Sequence, residues 1–187
     1  MDHYVEFSLR QDPEFTPPVL MGALFSKLHR ALVVLEADDI GVSFPRYQLK
    51  PRSLGTILRL HGKADRLCQL LALDWLAGMR DFVDVGLVAA VPHGVKHRVV
   101  HRVQPKTSVE RLRRRHARRH QVSLSIAEER IPDSVLRPVA LPFANVRSQS
   151  TGQTFSLFIG MGKLLDEPIP GTFSRYGLAT DATVPWF

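Results

Sequence analysis

The chain has 187 residues, of which 44% are hydrophobic, enough to bury a core in one domain or in two small ones. Its single cysteine, Cys68, excludes an internal disulfide framework and suits a reducing cytoplasm. No apolar run reaches the roughly 18 residues needed to cross a bilayer, and the first residues begin a strand-like pattern instead of a signal peptide. We therefore expect a soluble, cytoplasmic protein with no membrane partner. The formal net charge of the chain is +7.

The first ninety residues alternate between strand-like and helix-like patterns. Apolar and polar side chains alternate from Val5 to Leu9, as in a half-buried strand, and a helix begins at Thr16 and Pro17. The predicted elements are a strand at 4–10, a helix at 16–35, strands at 40–44 and 56–61, a helix at 64–77 and a strand at 82–91. This β-α-β-β-α-β order is typical of the ferredoxin-like arrangement shared by RNA-recognition domains. It predicts a domain over residues 1–93.

The second half of the chain is expected to supply the binding surface. The third predicted strand, Ile57 to His61, lacks the paired aromatics with which RNA-recognition domains stack on unpaired bases. Residues 94–187 are predicted to form a second α+β domain. Its elements are a strand at 97–103, an arginine-rich helix at about 108–120, a short helix capped by Ser125–Glu128, and strands at 143–147, 154–159 and 173–178.

Basic residues concentrate in one segment, from His97 to His120. It holds nine Lys or Arg and a single acid, Glu110, so its net charge of +8 exceeds that of the whole chain. Thr107 and Glu110 fit a capping box, which predicts the start of the arginine-rich helix. At about 100° per residue, five arginines of this helix share one face. These are Arg111, Arg114, Arg115, Arg118 and Arg119.

The arginine-rich helix is interpreted as a surface for a polyanion. Val109, Leu112 and His116 cluster on a different face, where they could anchor the helix. The alternative is a solvated charged face, but acids at i±4 are missing from the pattern, and such like-charge crowding is destabilising. A patch of this density is typical of nucleic-acid binding, and arginine makes bidentate contacts to phosphates and guanine edges.

Histidine pairs at i,i+4 spacing occur twice in the basic segment, at His97/His101 and at His116/His120. On a helix this spacing could chelate zinc, but the surrounding positive charge would repel a cation. The sequence has no HExxH motif, no cysteine cluster and no phosphate-binding glycine loop. We expect neither a bound metal nor a cofactor.

An enzyme that acts on RNA can cleave it without a metal by using the 2′-hydroxyl as nucleophile and a side chain as base. His29 is the candidate base, although its place beside the leucine stripe of the first helix also fits a structural histidine. Ser148 and Ser150 could orient a ribose, or they could simply form a turn. Tyr176 could donate to a phosphate or stack, but a tyrosine on a predicted strand is usually part of the core.

Longer motifs are distributed over essentially the whole chain. They are Met1-Asp-His-Tyr4, Leu24-Phe-x-Lys-Leu-His29, Ile40-Gly-Val-Ser-Phe-Pro45, Arg102-Val-Gln104, Glu110-Arg-Leu-Arg-Arg-Arg115, Arg118-Arg-His120, Arg130-Ile-Pro-Asp133, Arg147-Ser-Gln-Ser-Thr-Gly-Gln153 and Val184-Pro-Trp-Phe187. In this order and spacing the chain resembles the type I-F CRISPR repeat-processing endoribonucleases, the Csy-type branch of the Cas-six superfamily. Residues 46–56, 94–100 and 160–172 match that pattern only loosely.

The resemblance implies an enzyme of antiviral defence that binds the stem-loop of each CRISPR repeat and cuts once at the 3′ base of the stem. It implies that His29 deprotonates the ribose 2′-hydroxyl, that Ser148 holds that ribose, and that Tyr176 orients the histidine, with no metal required. The products would be a 5′-hydroxyl and a cyclic or 3′-phosphate. The enzyme would then stay on its product as a subunit of the type I-F interference complex.

The resemblance also implies how the RNA is bound. Arg102 and Gln104 would read base edges low in the stem, and Phe155 would stack on the terminal base pair. Other subunits of the type I-F complex are expected partners, and the free protein is expected to be a monomer. The remaining expected RNA-binding residues are Arg111, Arg114, Arg115, Arg118, Arg119, His120, Gln149, Ser150 and Thr151.

Two other functions remain open at this stage. A non-catalytic subunit that binds structured RNA would keep the arginine-rich helix, but it has no need of His29, Ser148 and Tyr176 together. A protein that binds double-stranded DNA is disfavoured, because the sequence has no helix-turn-helix, zinc-finger or basic-zipper pattern.

Overall fold

A computed structural model describes the chain in four ranges of residues. These are 1–104, 109–133, 139–147 and 152–187. Helices and strands are both present, so the α+β fold class is confirmed. The chain forms two compact units, a larger one of Met1–Val103 with Leu141–Phe187 and a smaller one of Gln104–Ala140. This division differs from the sequence-based domains 1–93 and 94–187, which stay a prediction.

The larger unit contains two α-helices and twelve strands within the described ranges. In chain order they are β1 (His3–Leu9), α1 (Pro17–Val34), β2 (Gly41–Ser43), β3 (Gln48–Leu49), β4 (Arg52–Ser53), β5 (Ile57–Gly62), α2 (Ala64–Ala72), β6 (Val83–Val85), β7 (Ala89–Ala90), β8 (Lys96–Arg98), β9 (Val100–Val103), β10 (Phe143–Arg147), β11 (Thr154–Met161) and β12 (Val184–Trp186). The main sheet has the order β2-β5-β1-β6, with β7 also paired to β1. A second sheet has the order β10-β11-β9, and all of these pairings are antiparallel.

Helix α1 connects the two sheets by packing against both β1 and β10. Its approach to β10 is very close, because a Cβ atom added at Gly22 would lie 2.6 Å from the backbone oxygen of Asn145. Only glycine permits that separation. The predicted leucine stripe of α1 faces the core, with Leu20, Leu24, Leu28 and Leu32 all buried.

Two predicted elements of the first half differ from the structure. The helix predicted at 64–77 ends at Ala72, because Leu73 adopts an extended backbone and the chain then turns. The strand predicted at 82–91 is interrupted, and its two parts are β6 and β7, both paired with β1. The other predicted elements of this half lie within a few residues of their expected positions.

Two predicted strands of the second half were also wrong in their extent. The strand predicted at 97–103 divides at Val99, because β8 pairs with β12 whereas β9 pairs with β11. The segment predicted as a strand at 173–178 is a turn. Its Gly177 has a φ of 68°, and the Gly177 N–H donates to the Ser174 carbonyl at 2.7 Å. The ribbon of β3 with β4 and the strand β12 were not predicted.

The smaller unit contains helices α3 (Val109–His120) and α4 (Leu124–Arg130). Gln121 has a φ of 50° just after the end of α3. The cap of α4 is Ser123 and not Ser125, because the Ser123 hydroxyl accepts from the Ile126 N–H at 3.4 Å. None of the helices in the described ranges combines the length and apolar character that a membrane crossing requires.

A fully buried histidine lies in the main sheet. His61 of β5 has no exposed surface, and its Nε2 lies 2.8 Å from the hydroxyl of Ser43 on β2. Burial, followed by the charge of Arg59, lowers the pKa of His61 to about 3. The imidazole is therefore neutral in the folded protein, whereas in the unfolded chain it gains a proton below a pH of about 6.5.

This difference predicts a loss of stability in weak acid. The contribution of His61 is complete above a pH of about 6.5 and is lost progressively as the pH falls toward 3, because only the unfolded chain binds the proton there. Between pH 7.5 and pH 5.0 the free energy of unfolding should fall by about 2 kcal/mol through this group. Urea titrations of the protein and of His61→Asn at both pH values measure it. An equal fall in both proteins would contradict the assignment.

Candidate active site

Helix α1 places His29 at the edge of its buried stripe. Leu28 is fully buried, whereas the next residue, His29, is half-buried and lines a surface cavity of about 760 Å³. The sequence-based position of His29, one residue beyond the stripe, is therefore confirmed. A histidine at such an edge is held by the core on one side and accessible to a ligand on the other.

A backbone hydrogen bond fixes the tautomer of His29. Its Nδ1 lies 2.7 Å from the carbonyl oxygen of Arg175. Because a carbonyl oxygen only accepts, Nδ1 must carry the proton and donate it. In the neutral imidazole the other nitrogen, Nε2, then holds a lone pair and can accept a proton. The structure thus prepares His29 as a base.

The ring of Tyr176 stacks on the imidazole of His29. Their centroids are 3.8 Å apart with 5° between the ring planes, and Phe25 of α1 packs near the tyrosine at 6.0 Å. Burial raises the pKa of Tyr176, and the nearby charge of Arg102 opposes this only in part. Tyr176 therefore stays a neutral phenol at neutral pH, which suits an orienting and stacking role and not that of a base.

The turn that carries Arg175 and Tyr176 is held to the main sheet at Gly177. The Val42 N–H of β2 donates to the Gly177 carbonyl at 2.9 Å. A Cβ atom at Gly177 would lie 2.5 Å from the Val42 side chain, at a φ that disfavours other residues. This contact sets how far Arg175 and Tyr176 stand from α1.

The two stacked residues line different cavities of the larger unit. His29 lines the cavity of about 760 Å³, whereas Tyr176 lines a cavity of about 330 Å³ together with His101 and Arg102. The guanidinium of Arg102 lies 5.4 Å from the ring centroid of Phe155. The structure thus brings four predicted site residues together, namely His29, Tyr176, Arg102 and Phe155.

Four predicted site residues, Ser148, Gln149, Ser150 and Thr151, lie outside the described residues. Their chain neighbours Arg147 and Gly152 both line the 760 Å³ cavity with His29. Gln104 is exposed and belongs to the smaller unit.

The predicted arginine face of α3 is exposed. Arg113, by contrast, is four-fifths buried, and it donates to the Ile131 carbonyl at 2.9 Å and pairs with Asp133 at 3.1 Å. It therefore ties α3 to the segment after α4. The expectation that no acid relieves the arginine crowding was wrong, because Glu110 pairs with Arg114 at i,i+4. The exposed residues are Arg111, Arg114, Arg115, Arg118, Arg119 and His120.

The predicted anchoring face of α3 is partly buried. Val109 is buried and Leu112 is half-buried. His116 is also half-buried, and burial lowers its pKa. Its ring centroid lies 4.4 Å from that of His120. Within the part of the chain that the structure describes, no group of three or more His, Cys, Asp or Glu is placed to hold a metal ion.

Sequence reasoning missed two parts of the site. The first is the Arg175 carbonyl, which has no side-chain signature because any residue offers the same acceptor. The second is a set of polar residues that line the cavity near His29, namely Lys27, Arg30, Asn145 and Arg147. Lys27 and Arg30 lie on either side of His29 in the sequence, and this basic pair was a usable signal.

A histidine prepared as a base beside a cation-lined cavity suits a protein that carries out proton-transfer chemistry on a polyanion. The exposed arginines of α3 make a nucleic acid the fitting polyanion. Comparison with known proteins agrees with this class. A family described as "CRISPR-associated protein (Cas_Csy4)" matches residues 4–187. The chain belongs to this Csy4 family, which confirms the resemblance inferred from its motifs.

Two relatives match the chain from end to end. The chain is 52% identical over 187 residues to the CRISPR-associated endonuclease Cas6/Csy4 of Pseudomonas aeruginosa (strain UCBPP-PA14). It is 45% identical over 187 residues to the protein of the same name from Escherichia coli (strain UTI89 / UPEC). Both matches cover 100% of this chain and 100% of the relative.

Proposed function

We propose that the chain is an endoribonuclease that processes precursor CRISPR RNA. It binds the repeat stem-loop, cuts at the 3′ base of the stem by attack of the 2′-hydroxyl without a metal, and stays on the product as a subunit of the type I-F interference complex. The observation that carries the proposal is the hydrogen bond from His29 Nδ1 to the Arg175 carbonyl. The names of the two relatives, each a CRISPR-associated endonuclease, support the reaction class.

The proposed reaction begins at the free nitrogen of His29. Nε2 removes the proton of the 2′-hydroxyl upstream of the cut, and the 2′-oxygen attacks phosphorus. The bond from phosphorus to the 5′-oxygen breaks, and that oxygen takes up a proton. The products are a 2′,3′-cyclic phosphate and a 5′-hydroxyl, so no water or metal enters this step.

Two contacts of His29 act on the imidazolium that forms during this reaction. When Nε2 gains its proton, the hydrogen bond to the Arg175 carbonyl becomes charge-assisted and stronger. The imidazolium also faces the π-system of Tyr176 at a stacking distance of 3.8 Å, an arrangement that attracts a cation. Ser148 is proposed to hold the attacking ribose, and its neighbour Arg147 lines the cavity that His29 lines.

RNA binding is proposed to use two surfaces. In the larger unit, Arg102 reads a base edge and Phe155 stacks on the terminal base pair, and their contact at 5.4 Å supports a joint role. In the smaller unit the exposed arginines of α3 contact the stem, and Gln104 reads a second base edge. An A-form major groove is normally too deep and narrow for side chains, but a short hairpin is open at its ends. Gln149, Ser150 and Thr151 complete the proposed contacts.

We also propose that residues 1–93 form a ferredoxin-like domain. The β2-β5-β1-β6 order with α1 and α2 in the connections supports it. The free protein is proposed to act in the cytoplasm as a monomer. The cleavage reaction proposed for His29 is the same whether or not these further proposals hold.

Removal of the base tests the reaction. His29→Ala should lower the rate of repeat cleavage by about 10²- to 10⁴-fold, while stem-loop affinity stays within about twofold, because a base contributes to the transition state and not to RNA binding. Single-turnover cleavage in EDTA and filter binding measure the two quantities. The exposed His93→Ala serves as the matched control. A parallel loss of affinity would refute the base assignment.

The nucleophile is tested separately with a 2′-deoxy nucleotide immediately upstream of the cut. It should block cleavage and leave binding intact. Persistent cleavage would mean that water attacks. Tight binding of the unmodified repeat without any cut would favour the non-catalytic RNA-binding subunit.

Replacement of Tyr176 separates stacking from its hydroxyl group. Tyr176→Phe keeps the aromatic face, so the cleavage rate should stay close to that of the unmodified protein. Tyr176→Ala removes the face, and the rate should fall roughly threefold to tenfold, as expected for an aromatic contact of about 0.5–1.5 kcal/mol. Single-turnover rates at saturating protein measure this. Equal losses in both variants would assign the role to the hydroxyl.

The arginine face is tested by affinity. Replacement of Arg115 and Arg119 by glutamine should weaken stem-loop binding by about 1–3 kcal/mol for each arginine that reads a base edge. It should also reduce the salt dependence of binding. Arg80→Gln removes an exposed cation of the larger unit and should change neither. An unchanged affinity for the double variant would show that α3 does not contact the stem.

A further inference from the structure

One edge of the main sheet is open in the described part of the chain. Strand β6 stands at the end of the sheet order and pairs there with β1 alone. The Arg10 N–H donates to the Phe82 carbonyl at 2.9 Å. The Gly86 N–H donates to the Glu6 carbonyl at 2.8 Å. Because the bonding alternates along an antiparallel pair, the backbone N–H and C=O of Val85 point away from β1.

The side chains along this edge are mostly apolar. Val85 is 44% exposed and Leu87 is 89% exposed. Leu87 and Val88 together oppose the single residue Val5 of β1, which makes a bulge after β6. Natural sheets protect an open edge with lysine, proline, a bulge or a covering segment. Here the bulge is accompanied by one charged residue between positions 82 and 92, Asp84, so the edge discriminates by charge.

The open edge lies in an acidic part of a basic protein. Residues 1–15 and 74–92 contain β1 and the edge, and they hold seven acids and two arginines, a net charge of −5, whereas the whole chain carries +7. Arg10 Nε donates to the Asp84 carboxylate at 2.8 Å, and the charge of Asp81 also acts on Arg10. One cation thus faces two acids, and the edge keeps an excess of negative charge.

This charge decides which molecule fits the edge. An RNA backbone is repelled by it. A second copy of this chain, paired through the same edge, would bring two acidic segments together, and like charges opposite one another destabilise paired strands. An extended segment with positive charge is attracted instead.

The pleat of the sheet defines the pattern of that segment. Successive side chains of an added strand point to opposite faces of the sheet. Those on the face of Val85 would meet an apolar side chain, and those on the face of Asp84 would meet a carboxylate. The fitting segment therefore alternates apolar and basic residues.

We propose that the β6 edge binds an extended segment of another protein in which apolar and basic residues alternate. The segment adds a strand to the main sheet, so backbone hydrogen bonds supply affinity and side chains supply specificity. In the proposed function this segment belongs to a neighbouring subunit of the interference complex, and to that extent the inference rests on the proposed function. The strand addition itself does not depend on the cleavage reaction.

Two synthetic peptides of about six residues, the usual length of a strand, test the charge preference. One alternates valine with lysine, and the other alternates valine with glutamate. The lysine peptide should bind the RNA-free protein about tenfold more tightly, although the protein as a whole is positively charged. Fluorescence anisotropy measures both dissociation constants. Amide hydrogen exchange should slow at Val85, because its N–H gains a partner.

Charge reversal on the edge provides the first variant. Asp84→Lys should reverse the preference, so that the glutamate peptide becomes the tighter ligand. Asp166→Lys is the matched control, because Asp166 is also an exposed acid paired with one cation, Lys96, but it does not lie on this edge. It should keep the preference of the unmodified protein.

A backbone change provides the second variant. Val85→Pro removes the outward N–H and should abolish the binding of both peptides, whereas Val85→Thr keeps that N–H and should retain binding. Thermal unfolding shows whether each variant is folded. Asp84→Lys carries the test if Val85→Pro does not fold.

Three results would overturn the inference. They are equal affinity of the unmodified protein for the two peptides, tight binding without slower exchange at Val85, and an Asp84→Lys variant that keeps the original preference. Exchange at Val85 that slows with rising protein concentration and no peptide would assign the edge to a second copy of the chain, which also overturns it.

Cleavage assays separate this inference from the proposed function. None of the replaced residues lines the cavity of His29 or that of Tyr176, so all the variants should cleave repeat RNA at the unmodified rate. Cleavage without peptide binding would overturn the edge alone. Peptide binding without cleavage would overturn the enzyme alone.

Discussion

The hydrogen bond between His29 Nδ1 and the Arg175 carbonyl is the contact on which the candidate site depends. It joins residues 146 positions apart in the chain and decides which imidazole nitrogen is free. Its length of 2.7 Å requires α1 and the turn at Arg175 to be held at a fixed separation. Gly22 permits the close packing of α1 on β10, and Gly177 permits the turn to lie against β2.

A backbone carbonyl thus orients His29, whereas in many active sites a charged side chain orients the histidine. A carboxylate partner for His29 would stabilise its cation more strongly, but it would also repel an RNA backbone. The neutral carbonyl of Arg175 fixes the tautomer without that repulsion. Positive charge lies around the histidine at Lys27, Arg30 and Arg147, and in the proposed function this charge attracts the RNA backbone to the site.

The sequence was sufficient for features that depend on local periodicity. His29 could be placed at the edge of a helix because a leucine stripe is readable within a few turns of the helix, and the arginine face of α3 is read in the same way. Features that depend on distant partners could not be predicted. The division of residues 97–103 at Val99 follows from pairing with β11 and β12, and the turn around Tyr176 follows from contact with β2. The hydrogen-bond acceptor at Arg175 could not be predicted from the sequence, because every residue has a backbone carbonyl.

In the proposed function, one protein is both an enzyme and a subunit that stays bound to its product. Binding energy that is equal in product and transition state does not speed the chemical step, and it slows product release. An enzyme that cuts its RNA once and keeps it has no need of rapid turnover, so strong stem contacts carry no penalty. A single histidine base is then sufficient for the chemical step.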